Sequence, residues 1–132
     1  MKILHTADWH LGRSLGSYEL LDLQRQALAD IVRIAKDEKP DAIVVAGDLY
    51  DRSVPSEAAM RVFDEAVLAL RRVAPVLAIA GNHDGAGRVG HFARVLRAAG
   101  IHVAATEFGA VDAQRPAHQL GPLQAIDRLG LK

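Results

Sequence analysis

Cysteine is absent from this 132-residue chain, which excludes disulfides and thiolate metal sites. Any metal must sit on Asp, Asn and His, a donor set that favours Mn, Mg, Fe or a His/Asp zinc site. Net charge is absent as well. Sixteen basic residues balance 16 acidic ones, so the chain has no overall basic footprint for nucleic acid. That balance does not exclude local contacts with phosphate, because clustered carboxylates can offset arginines elsewhere in the chain. No apolar run is long enough to span a membrane. The chain opens Met1-Lys2-Ile3-Leu4-His5 without an apolar signal region, and the expectation is a cytoplasmic protein.

Half the residues are hydrophobic and 24% are charged, ordinary proportions for a soluble globular domain. Twelve of the 16 basic residues are Arg, and seven of these lie between Arg52 and Arg97. A planar guanidinium suits phosphate better than a Lys point charge does. The same arginines would also serve as solvated helix faces.

The dominant pattern is strand, loop, helix, repeated. Lys2 to Thr6 is a short apolar run. Leu20 to Lys36 has helical spacing, with Leu21, Leu28, Ile31 and Ala35 on one face and Pro40 as the stop. Ala42 to Ala46 predicts a strand buried on both faces. Ser56 is a candidate N-cap for a helix whose buried stripe would be Met60, Phe63, Val67 and Leu70. Val76 to Ala80 predicts a third strand, Arg88 to Ala99 a third helix stopped by Gly100, and His102 to Ala105 a fourth strand. Such alternation implies crossover units and a mainly parallel sheet, an α/β fold. Residues 1–105 form one patterned unit. Residues 106–132 are a weakly patterned tail, consistent with truncation or degeneration.

Ligands in open parallel sheets collect at the carboxyl ends of the strands. Each of the first three predicted strands is followed by metal-ligand residue types: Asp8-Trp9-His10, Gly47-Asp48-Leu49-Tyr50-Asp51 and Gly81-Asn82-His83-Asp84. Asp8 and His10 are two apart, so in an extended segment they point to one side and can share a cation. Asp48 has two oxygens and can bridge two cations. Asn82 offers a neutral carbonyl oxygen that suits a hard metal. Taken singly, each group has an ordinary reading: Asp-x-His as structural, Gly-Asp as a turn, Asn-His-Asp as a turn or cap. Their coincidence after three successive parallel strands favours the functional reading.

These groups resemble the first three motifs of the calcineurin-like metallophosphoesterases: Asp-x-His, Gly-Asp-x-x-Asp and Gly-Asn-His-Asp. The opening Ile3-Leu4-His5-Thr6-Ala7-Asp8-Trp9-His10-Leu11-Gly12 resembles in particular the SbcD nuclease subunits of bacterial SbcCD complexes. The resemblance implies the first half of that family's α/β sandwich. It also implies a two-metal phosphodiesterase that processes DNA double-strand ends in repair and recombination. It places the first metal on Asp8 and His10, the bridge on Asp48 and the second metal on Asn82. His83 would protonate the leaving oxygen or stabilise transition-state charge, and Asp51 would orient that histidine. Asp84 would support the ligands from behind, or act as a cap or turn residue. The cations would be two, Mn²⁺ by preference, roughly 3.5–4 Å apart.

DNA and an SbcC-like ATPase subunit are the implied partners, together with a second copy through helices 56–72 and 88–99. The family completes its second metal with downstream histidines in a Gly-His-x-His motif, and this chain has no such pair. His5 is read as a core residue or a support behind the ligands. Arg13 and Arg52 flank the motifs as candidate DNA contacts or plain surface charges. The competing readings are a phosphoesterase for small substrates and an inactive metal-binding or dimerisation fragment.

Overall fold

The computed structural model describes residues 1–81, 84 and 93–104. Three stretches of sequence become crossover helices between parallel strands. Strand β1 (Ile3–Ala7) leads through a small hairpin, β2 (Ser14–Leu15) and β3 (Tyr18–Glu19), into helix α1 (Leu21–Glu38). Strand β4 (Ala42–Ala46), helix α2 (Glu57–Arg71), strand β5 (Val76–Ile79), helix α3 (Ala93–Ala98) and strand β6 (Ile101–Ala104) follow. The fold is therefore α/β, as the alternation predicts.

Local chemistry sets the element ends. Lys39 closes α1 in the left-handed region (φ 47°) one residue before Pro40, which cannot continue a helix. The Ser56 hydroxyl caps α2 by accepting from the Ala59 N–H at 3.2 Å, which satisfies one of the unpaired donors of the first turn. Gly100 ends α3 at φ 77°, where a Cβ would run into the Arg71 guanidinium. That guanidinium donates to the Ala99 carbonyl at 2.6 Å.

The large sheet runs β1-β4-β5-β6, all parallel. Strands added in sequence order through right-handed crossovers place every connecting helix on the same face. The register follows from this. The row Leu4, Ile43, Val76, Ile101 faces the helices, and the adjacent row His5, Val44, Leu77, His102 faces away. The core gathers the first row with Leu28 and Ala35 of α1 and Val62, Ala66, Val67 and Leu70 of α2.

Three expectations are corrected. β4 is not buried equally on both faces: Ile43 and Val45 are fully buried while Val44 is half-buried, because the described helices all lie on one side. His5 is exposed, not in the core, since its row faces away from α1 and α2. The buried stripe of α2 is Ala59, Val62, Ala66, Val67 and Leu70, and Met60 is 37% exposed. Small alanines there let the helix approach the Gly12 loop. A Cβ on Gly12 would lie 3.3 Å from that of Ala59. The β2–β3 hairpin was not foreseen, and the sequence beyond residue 104 lies outside the described residues.

His102, on the outer row, has its pKa lowered below 6.5 by burial, with Arg97 and Arg71 adding repulsion. A histidine with a depressed folded pKa contributes stability above its unfolded pKa and loses it as pH falls through the folded value. His102→Gln is expected to flatten part of the loss of stability below about pH 6.5. Urea midpoints of both proteins, compared above and below that pH, measure it. An identical pH dependence would contradict the assignment.

Candidate metal centre

The carboxyl ends of β1 and β4 continue as two loops that pair with each other past the end of the sheet. Asp8 N–H donates to Gly47 O at 3.3 Å, His10 N–H to Asp48 O at 2.9 Å and Leu11 N–H to Leu49 O at 3.1 Å. Asp51 N–H returns to Leu11 O at 3.1 Å. The pairing resembles a parallel ladder, but the backbone is not extended. Asp8 (φ 54°), His10 (φ 44°), Gly47 (φ 72°) and Asp48 (φ 42°) all occupy the left-handed region. Non-glycine residues there carry strain that the surroundings must hold, a feature that clusters at functional sites.

Apolar side chains fasten these loops from below. Trp9, Leu11, Leu49 and Tyr50 are buried in the core. Trp9 and Tyr50 both pack on Phe63 of α2, with ring centroids 5.9 Å and 5.3 Å away at tilted angles. The Trp9 indole N–H donates to the Thr6 hydroxyl at 2.9 Å. Burial, then the Asp64 and Asp84 carboxylates, push the Tyr50 phenol above its usual range, so it stays neutral. With these neighbours turned inward, Asp8, His10, Asp48 and Asp51 are left at the surface of the loops.

Asp8, His10 and Asp48 come together there. Each offers one ligand atom, and the three atoms lie within 4.8 Å of one another. Donors held roughly 2.0–2.6 Å from one cation are at most about twice that far apart, so the trio fits a single hard cation. Asp8 and His10 converge, but not through the extended geometry expected of them. Positive φ at both residues aims the side chains. The His10 ring is bracketed, with Nε2 3.8 Å from Asp48 Oδ2 and Nδ1 3.7 Å from Asp51 Oδ1. Asp51 stands next to His10, and the His83 that it is expected to orient lies outside the described residues. A carboxylate behind a ligating imidazole is a common way to fix its orientation. Asn82 also lies outside the described residues.

Asp84 turns out to be a backbone tie. It is 7% exposed. Its Oδ2 accepts from Leu49 N–H at 2.9 Å and Gly81 N–H at 2.7 Å, and its Oδ1 accepts from Tyr50 N–H at 2.9 Å. One carboxylate thus joins the second motif loop to the third. Gly81 is needed at this junction, because a Cβ there would overlap the backbone nitrogen and carboxylate of Asp48.

Sequence reasoning missed one residue at the site, Gln24 of α1. Its amide nitrogen donates to the carbonyls of His10 (2.7 Å) and Trp9 (3.1 Å), and its Oε1 accepts from Gly12 N–H at 3.1 Å. A signal was present. Gln24 sits on the same helix stripe as Leu21, Leu28 and Ala35, and a polar residue on an apolar stripe calls for a partner.

Asp84→Asn places an amide group against at least one of three N–H donors, of which those of Leu49 and Tyr50 are in buried bonds. The expected loss of stability is about 2–4 kcal/mol, from an unmet buried donor and lost charge-assisted bonds. Urea denaturation measures it, and an unchanged midpoint would contradict the role given to Asp84.

The chemistry of the trio has a counterpart in known proteins. The family model described as calcineurin-like phosphoesterase matches residues 1–119, a span that contains both paired loops, Asp84 and every predicted ligand. A metal-dependent phosphoester hydrolase is what that family and this donor set have in common, and the chain belongs to the calcineurin-like phosphoesterase family.

Proposed function

We propose that this chain carries the phosphodiesterase centre of an SbcD-like nuclease subunit acting on DNA ends. The observation that carries the reading is the convergence of Asp8, His10 and Asp48 within 4.8 Å at the carboxyl ends of parallel strands. The run Ile3 to Gly12 supports the nuclease branch over phosphoesterases for small substrates.

The roles in this reading are those that the resemblance implies. Asp8, His10 and Asp48 would hold the first cation, and Asp48 with Asn82 would take part in holding the second. When bound, the cations offset charge on the phosphate and lower the pKa of the attacking water. Asp51, beside His10, keeps that ring aimed at the shared position. Attack of water on phosphorus, with one water proton released to solvent, forms the new P–O bond and breaks the bond to the leaving oxygen, to which His83 gives a proton. Asp84 keeps the Leu49-Tyr50 and Gly81 backbones in register beneath these groups.

The partners in this reading are duplex DNA, an SbcC-like ATPase subunit and a second copy of the chain. Exposed apolar side chains on the two expected interface helices support the last of these: Leu68 (53%) and Met60 (37%) on α2, and Val95 (67%) on α3. Among the described residues no helix is long and apolar enough to cross a membrane.

The test is cleavage of linear duplex DNA and of an aryl phosphodiester with Mn²⁺, beside Asp48→Ala and His83→Ala. Cleavage of both substrates is expected, abolished by Asp48→Ala and lowered about 10²–10⁴-fold by His83→Ala. Light scattering of the same sample is expected to give twice the chain mass. Cleavage of the aryl diester alone would replace DNA with a small phosphoester. Mn²⁺ binding weakened by Asp48→Ala, without any turnover, would leave an inactive metal-binding module.

A further inference from the structure

We infer that Gln24 is a positioning residue for the cation site: its carboxamide sets the backbone of the Trp9–Gly12 loop and thereby aims the His10 imidazole at Asp8 and Asp48. The inference rests on the reading of those three residues as a cation site.

Three of the five residues from Asp8 to Gly12 have positive φ: 54° at Asp8, 44° at His10 and 85° at Gly12. The two that are not glycine carry a penalty of about 1–2 kcal/mol each, so something must hold them. One side of the loop is tied to the β4 loop by backbone hydrogen bonds. The other side faces α1, where Gln24 meets it with every polar atom of its side chain. In a strand, successive carbonyls point to opposite sides. Here the carbonyls of Trp9 and His10 converge on one amide nitrogen, which they can do only in the bent conformation. Gln24 therefore reads the conformation that aims His10.

The side-chain chemistry is selective. Two N–H donors and one acceptor on a single planar group occur only in Asn and Gln. Glu at the same length would turn oxygen toward two carbonyls, and Met would offer no polar atom. The carrier is rigid. The Gln24 backbone N–H donates to Leu20 O at 2.9 Å inside α1, and Leu28 and Ala35 lock that helix into the core. The His10 ring stands 3.8 Å from Asp48 and 3.7 Å from Asp51. Relaxation of its φ to an ordinary value would swing the Cβ, and with it both ring nitrogens, out of that bracket.

The test compares Gln24→Glu and Gln24→Met with the wild-type chain and with Gln26→Ala, an exposed position on the same helix. Far-UV circular dichroism of each metal-free protein identifies the folded variants, and either Gln24 variant alone suffices. Three quantities are read: the melting temperature, the Mn²⁺ dissociation constant by calorimetry, and the histidine-nitrogen coupling of bound Mn²⁺ by pulsed electron paramagnetic resonance. Affinity is expected to fall about 10–100-fold in the Gln24 variants, with the nitrogen coupling weakened, while Gln26→Ala matches wild type. A merely structural Gln24 would lower the melting temperature without moving the coupling. Unchanged affinity and coupling in a folded Gln24 variant would overturn the role of Gln24 alone. Failure of the wild-type chain to bind Mn²⁺ would overturn the cation-site reading, and this inference with it.

Discussion

The backbone pairing between the loops after β1 and β4 is the constraint on which the site depends. Asp8, His10 and Leu11 donate to Gly47, Asp48 and Leu49, and Asp51 donates back to Leu11. A parallel sheet normally releases its chains at the strand ends. Here the two chains stay joined while bending through the left-handed region, so carboxylates and an imidazole from different strands face each other. Without that pairing, two short loops ending in charged residues would separate, since Asp8, Asp48 and Asp51 repel one another in the absence of a cation.

The energy that holds this arrangement comes from elsewhere in the molecule. Trp9, Leu11, Leu49 and Tyr50 bury the loops in the core from below, and Phe63 of α2 meets both aromatic rings. Gln24 closes one edge and Asp84 the other, each with three hydrogen bonds to backbone. The alternation of motif residues with large apolar ones is thus a division of labour. Inward residues supply burial, and outward residues supply donors to the site.

Much of the fold was legible because its signals are local. Pro40, Ser56 and Gly100 punctuate the chain, the apolar run at residues 42–46 is a strand as expected, and the strand expected at 76–80 runs over Val76–Ile79. The convergence of Asp8, His10 and Asp48 followed from motif order, since ligands after parallel strands meet at one sheet edge. The exposure of His5 and the rotation of the α2 stripe toward Ala59 and Ala66 were not legible, because both depend on which sheet face the crossovers cover. Positive φ at Asp8 and His10 was equally hidden. An Asp-x-His spacing is compatible with an extended strand, and only the pairing with the β4 loop dictates otherwise. Gln24 lay in plain view as a polar residue on an apolar stripe, but its partners are 12–15 residues away in sequence.

A preformed cation site at the paired loops is most directly tested by locating the ion. Crystals of the chain grown or soaked with Mn²⁺ should give an anomalous scattering peak within ligand distance of Asp8, His10 and Asp48, with positive φ retained at Asp8, His10 and Asp48. A Mn²⁺ peak bound elsewhere, with those three side chains turned apart, would contradict it.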